Sequence, residues 1–214
     1  NVGVPVAVSG QPTQFDVAYQ ISVFNPSIAS ITYGLTDLPG LDSDVSILSA
    51  SFTQNGSAST PLSGSGPWVL QAQGRTLAAG ATDTYSLTIR ININRGSNSQ
   101  TVNHTCASPS VSGYGLFNIS TAELQGINGN PNANFSANAC TNTPTPVWVR
   151  LNKLLVRRLA ATDQVQIRIL SAGVVTNTAI TSGSTNPSTA STNFVAFPAG
   201  NTMRFSEAVR ANGV

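Results

Sequence analysis

The run Thr84–Asn94 is compatible with very few folds. Tyr85, Leu87, Ile89, Ile91 and Ile93 take alternate places, with Thr84, Ser86, Thr88, Arg90, Asn92 and Asn94 between them. Successive side chains of a strand point to opposite faces, so an extended run of this kind has one apolar face and one polar face. Phe15, Val17, Tyr19, Ile21 and Val23 repeat the pattern earlier in the chain. No stretch shows a convincing helical period. Further strands are expected at 31–36, 45–53, 67–71, 114–124, 164–170 and 194–197. Pro39-Gly40, Gly64-Ser65-Gly66-Pro67 and Ala79-Gly80 supply turns between them. Short strands at this spacing predict an all-β chain built from antiparallel sandwiches.

Thr141-Asn142-Thr143-Pro144-Thr145-Pro146 is polar and carries two prolines, which favours an extended, semi-rigid spacer. It predicts two tandem domains. The first, over 1–144, is an Ig-like sandwich; the second, over 145–214, is a smaller sandwich. Only Arg210-Ala211-Asn212-Gly213-Val214 follow the Glu207 strand, so the second domain is expected to be incomplete within this chain. A continuation of the chain or a strand from a neighbouring copy would then complete it, and Val2–Val8 is the candidate donor strand.

Charged residues make up 8% of the 214 residues, and the polar character comes from Ser, Thr, Asn, Gln and Gly instead. Such a surface is hydrated without being ionic, as suits an extracellular protein. Net charge is +2, with Arg157-Arg158 as the densest basic spot, so there is no phosphate-tracking patch for nucleic acid. No run approaches the roughly 18 apolar residues of a membrane span. The chain opens Asn1-Val2-Gly3 without a methionine or a signal peptide, as a mature or excised segment would.

Cys106 and Cys140 flank a Gly/Asn/Pro-rich stretch. An even count in a chain of this composition favours a disulfide in an oxidising compartment over two free thiols. Two thiols and the single histidine, His104, do not fill a tetrahedral zinc shell. Asp37, Asp42 and Asp44 are a weak calcium candidate. Their spacing matches no calcium loop, and aspartates in a Pro-Gly segment commonly form turns. No cofactor is implied. Trp68, Trp148 and Tyr114 could form a sugar platform, although both tryptophans lie in strand patterns that suit packing. No nucleophile elbow, phosphate loop or His-Glu metal motif is present, so the chain is read as non-enzymatic with no catalytic residues.

The chain has one lysine, Lys153, inside the run Val147–Val156. Read as a strand, that run puts Lys153 on the face of Val147, Val149, Leu151 and Leu155. Glu207 likewise shares a face with Met203, Phe205 and Val209. Unpaired buried charges are costly, so Lys153 and Glu207 are expected to meet as a buried pair.

The segments Val23-Phe24-Asn25-Pro26 and Leu35-Thr36-Asp37-Leu38-Pro39-Gly40-Leu41-Asp42 resemble the conserved-repeat β-sandwich domains of large bacterial surface proteins. Leu151-Asn152-Lys153, Arg157-Arg158-Leu159-Ala160-Ala161-Thr162-Asp163-Gln164 and Phe205-Ser206-Glu207-Ala208 resemble a prealbumin-like domain, similar to the B-type repeat of collagen adhesins and pilins. The resemblance implies a secreted or cell-surface, structural or adhesive module. Its partners would be neighbouring domains, further copies of itself, or a host or matrix glycan or protein. The alternatives are a filament subunit assembled by strand donation and a carbohydrate-binding module. The resemblance also implies that Lys153 and Glu207 could be the remnant of an intramolecular lysine–asparagine bond. The acceptor departs from the pattern, because Asn212 falls in the expected turn Ala211-Asn212-Gly213.

Overall fold

The computed structural model describes residues 1–95, 103–125, 133–157, 160, 162–171, 173–181, 187–197 and 202–210, the last without its side chain. Arg158, Leu159, Ala161 and Asn212 lie outside them. Among the described residues there is no helix, every strand pairing is antiparallel, and the chain divides into two compact units, Asn1–Thr145 and Pro146–Val214.

The first unit contains β1 (Val6–Ala7), β2 (Gln14–Phe24), β3 (Ile31–Pro39), β4 (Val45–Gln54), β5 (Thr60–Leu62), β6 (Trp68–Leu77), β7 (Thr82–Ile93), β8 (Leu116–Leu124) and β9 (Ala133–Thr141). They form a five-stranded sheet in the order β1-β2-β7-β4-β5 and a four-stranded sheet in the order β6-β3-β8-β9. β7 is central to the first sheet, and its alternation has the consequence expected of a half-buried strand. Tyr85, Leu87, Ile89, Ile91 and Ile93 are all buried, while Ser86, Thr88, Arg90 and Asn92 are not. Opposite them in register, Val17 faces Ile89 and Tyr19 faces Leu87 on β2, and Ala50 faces Ile89 on β4. These side chains meet Tyr33, Leu35, Trp68, Leu70, Leu77 and Leu116 from the second sheet in one core. At roughly 25 cal/mol per Å² of apolar surface removed from water, this burial is the main favourable contribution to folding.

Hydrogen bonds stitch the two sheets together inside that core. The Tyr19 hydroxyl donates to the Leu116 carbonyl at 2.9 Å. Asp83 on β7 is the larger knot. Its carboxylate accepts two bonds from the Arg75 guanidinium, both at 3.0 Å, one from the Tyr33 hydroxyl at 2.6 Å and one from Asn55 Nδ2 at 2.7 Å. Arg75 and Tyr33 come from the second sheet, so one carboxylate joins both layers. The Tyr33 and Tyr85 hydroxyls lie 2.6 Å apart, and Gln54 Nε2 donates to Tyr85 at 3.0 Å. The Arg75 hydrogen bonds hold the Asp83 carboxyl down at about 2, overriding the opposing effect of burial.

The N-terminal segment runs along β2 in its own unit. Asn1 and Gln20 exchange backbone hydrogen bonds at 2.8 and 2.9 Å, Gly3 N donates to Ala18 O, and Val6–Ala7 pair with Phe15–Asp16. Val2–Val8, expected as a strand for a neighbouring copy, is therefore used in cis.

The second unit contains β10 (Val147–Val149), β11 (Asn152–Leu155), β12 (Gln164–Ser171), β13 (Val174–Ile180), β14 (Ser188–Ser191), β15 (Val195–Phe197) and β16 (Met203–Arg210). β10 pairs β15, β11 pairs β14, and a three-stranded sheet runs β13-β12-β16. The run Val147–Val156, read as one strand, is thus two. The break falls at Arg150–Leu151, where Leu151 N donates to Thr192 Oγ1 and Thr192 N donates back to Leu151 O. Val165, Ile167 and Ile169 of β12 supply the buried centre of the unit, with Ala190 and Phe197.

Replacing Asp83 with Ala should cost about 2–4 kcal/mol, because it removes the carboxylate that the buried Tyr33 hydroxyl and the Arg75 guanidinium share. Arg75 is partly exposed and adds little to that figure. Urea unfolding at neutral pH measures it, and a loss no larger than that of an exposed surface substitution would show that the knot is not what joins the sheets.

Candidate functional site

Among the described residues, three groups of side chains take up the candidates read from the sequence. The first is the pair singled out by its rarity. Lys153 Nζ lies 2.8 Å from Glu207 Oε1. Lys153 stands opposite Ala190 on β14, and Glu207 opposite Ile167 on β12. The pair is not buried: the two side chains are 27% and 49% exposed. The reason lies in β16. It pairs only with β12 among the described residues, and Phe205 and Val209, on the same face as Glu207, are exposed as well. Ile167 and Val165 on the same face of β12 are covered. The apolar alternation of β16 therefore does not report burial at this edge. Water reaches both charges, so the contact is a surface ion pair of roughly 0–1 kcal/mol.

The second place is buried polar chemistry on the second sheet of the first unit. Asp37 does not join Asp42 and Asp44. It lies on β3 opposite Ser120, and its Oδ1 accepts hydrogen bonds from Ser120 Oγ and from Asn118 Nδ2. Its Oδ2 is buried without a hydrogen-bond partner. Burial pushes the carboxyl up to about 6, against the lowering effect of Ser120 and Asn118. Asp37 is therefore not part of the group that Asp42 and Asp44 form, because its carboxylate is turned to Ser120 and Asn118 instead.

The third place takes the two remaining aspartates and adds the histidine. Asp42 Oδ2 lies 3.4 Å from His104 Nε2, and Asp44 Oδ2 lies 3.7 Å from the same nitrogen. The ligand atoms of all three residues fall within 4.8 Å of one another. Asp42 and Asp44 sit in the β3–β4 turn, where Asp42 Oδ1 accepts from the backbone N–H of Asp44 at 3.1 Å. His104 comes from the segment before the disulfide. Gly115 fixes the two together: its carbonyl accepts from Asp42 N at 2.9 Å, and its N–H donates to Asn103 O. Gly115 has φ +55°, and a Cβ there would lie 2.8 Å from Thr141 O and 2.9 Å from Cys106 Sγ. No other residue fits that corner without displacing backbone. Sequence spacing gave no hint of the His104 contact, because the turn and the histidine are brought together by long-range backbone bonds, through Gly115 and from Thr143 N to His104 O, beside the Cys106–Cys140 disulfide.

That disulfide is formed, with Cα atoms 6.0 Å apart, and it closes a loop over β8 and β9. Trp68 is 4% exposed and donates its indole N–H to Ser63 O at 3.0 Å, so it is a packing residue and offers no flat face to a sugar. An apolar cleft of about 420 Å³ opens between the sheets, lined by Ile21, Val23, Ile31, Leu35, Leu124 and Phe135.

A family model described as a prealbumin-like fold domain matches residues 148–213. No curated protein sequence matches the chain. The second unit is therefore similar to prealbumin-like fold domains, and domains of that type are typically structural, non-enzymatic and carried on the cell surface.

Two outcomes follow. The folded state holds the Asp37 proton to higher pH than the unfolded chain, whose value is 3.8. Stability from this group is full below about pH 4 and falls as pH rises through about 6. Asp37→Asn should flatten that part of the profile, as read from urea midpoints across the pH range; an unchanged slope would reject the assignment. Lys153→Ala should change unfolding free energy by less than about 1 kcal/mol. A loss several times larger would mean that the pair is desolvated in solution.

Proposed function

We propose that this chain is a non-enzymatic structural module of a bacterial surface protein or extracellular fibre, with the sandwich over 1–144 and the prealbumin-like unit over 145–214 as tandem domains. The observation that supports this reading best is the prealbumin-like match across the second unit. The first unit adds to it. It is a two-sheet sandwich with a disulfide, and its sparse charge suits an oxidising, extracellular setting. The early segments from Val23 to Asp42 resemble conserved-repeat domains of the same class of proteins, so both halves point to one setting. Adhesion to a host or matrix glycan or protein belongs to the proposal as the function of the longer assembly.

A second reading, the self-polymerising filament, has one feature in its favour. β16 is an edge strand whose Phe205 and Val209 are exposed, and exposed apolar edges invite a further strand. Against it stands Val2–Val8, which already pairs with β2 of the same unit. The stalk module is accordingly preferred.

Electron microscopy of the purified chain separates the two readings: discrete particles are expected, and filaments that lengthen with concentration would overturn the preference. A glycan array tests the carbohydrate-binding alternative, and specific binding there would replace the structural reading. Residues 1–145 expressed alone should unfold cooperatively with a dispersed amide spectrum. A collapsed, undispersed spectrum would show that the first unit is not an independent domain.

A further inference from the structure

We propose that Asp42, Asp44 and His104 form a binding site for a divalent transition-metal ion of the zinc class. The donor set is two carboxylate oxygens and one imidazole nitrogen, which suits zinc and its neighbours. Calcium, by contrast, prefers all-oxygen shells. Metal–ligand bonds of about 2.0–2.1 Å in a tetrahedron place neighbouring donors about 3.3–3.4 Å apart. His104 Nε2 lies 3.4 Å from Asp42 Oδ2 and 3.7 Å from Asp44 Oδ2, close to that spacing. Three protein ligands leave the fourth position to water or to a group from another molecule.

A second observation points to the ligand independently of the clustering. The Asp42 side chain is 2% exposed, and its Oδ2 has no hydrogen-bond partner; both ring nitrogens of His104 are buried and equally without one. Buried polar atoms are nearly always satisfied, and leaving a carboxylate oxygen without a donor costs more than a typical hydrogen bond returns. Here the unsatisfied oxygen and the unsatisfied nitrogen face each other 3.4 Å apart without hydrogen-bond alignment, at a spacing suited to a shared cation. Asp44 is partly exposed, so it provides the route by which an ion and its water enter. The backbone bonds through Gly115 hold the turn and the histidine segment in place, so binding would need little rearrangement. Bound there, the ion would join the β3–β4 turn to the segment beside the disulfide, acting as a clamp on one end of the first unit.

The competing arrangement is an imidazolium paired with the two carboxylates and no metal. The sole histidine makes the two distinguishable, since only one imidazole contributes ring nitrogen signals. The test uses the full chain without an affinity tag, stripped with chelator and labelled with ¹⁵N. One equivalent of Zn²⁺ should shift the Nε2 resonance and raise the melting temperature, and Co²⁺ should give visible bands of four-coordinate intensity. Asp44→Asn, at the partly exposed ligand, should weaken Zn²⁺ binding roughly 100-fold or more while the metal-free protein keeps its melting temperature. His104→Gln should abolish the Co²⁺ bands. Ring nitrogens that stay in the imidazolium range at equimolar Zn²⁺ would overturn the proposal. So would an equal zinc-dependent rise in melting temperature in His104→Gln, or a response to Ca²⁺ with none to Zn²⁺.

Discussion

The first unit depends on a carboxylate that its own core cannot hydrate. Asp83 starts on the central strand of one sheet and finds its partners, Arg75 and Tyr33, on the other. Apolar contact alone would let two twisted sheets slide over one another at modest cost, since hydrophobic attraction has no direction. A buried carboxylate with four fixed donors has direction. It fixes the pairing of β7 against β3 and β6 at one point, and the apolar layers then pack in the single arrangement that keeps every donor satisfied. The loops that build the Asp42–Asp44–His104 cluster are suspended from strands whose relative position is set in this way.

How much of this was legible in the sequence follows from where each strand lies. β2 and β7 were readable because each has one covered face and one wet face, so burial wrote an alternation into the residues. β9 was not readable: Ala133–Thr141 lies at a sheet edge with Phe135 exposed, and it is held by nine backbone pairings to β8, which leave no mark on side-chain type. β13 is similar, since its less exposed positions are Asn177 and Ala179 and its valines face outward. β14 buries Ser188 and Ala190, small residues that carry no apolar signal. β16 erred in the opposite direction, with alternation present but its apolar face exposed.

The candidate sites divide along the same line. The disulfide could be read from composition and cysteine count, because compartment chemistry acts on the whole chain. The meeting of Lys153 with Glu207 could be read from strand faces; its exposure could not, since that depends on what covers an edge. Asp42 and Asp44 were visible as a local group, while Asp37 looked like their neighbour and is not, because the β3–β8 register turns it toward Ser120. His104 was invisible as their partner. Contacts made through backbone bonds of a third segment, here Gly115, have no fixed sequence spacing to detect.

The position of the disulfide has a mechanical consequence. Cys140 lies near the end of β9, a few residues before the second unit begins at Pro146, and it is bonded back to Cys106. A pull arriving through Pro146 therefore meets a covalent bond before it can peel β9 from β8. The tension passes across to Cys106 and bypasses both strands of that hairpin. If the rest of the first unit were drawn out under load, the 34-residue separation between the cysteines would remain closed. At roughly 3.3–3.6 Å of contour per residue, that shortens the maximum extension by about 110–120 Å. Under tension the first unit would behave as a spring with a short stop at its downstream end, one that yields only when the sulfur–sulfur bond is reduced.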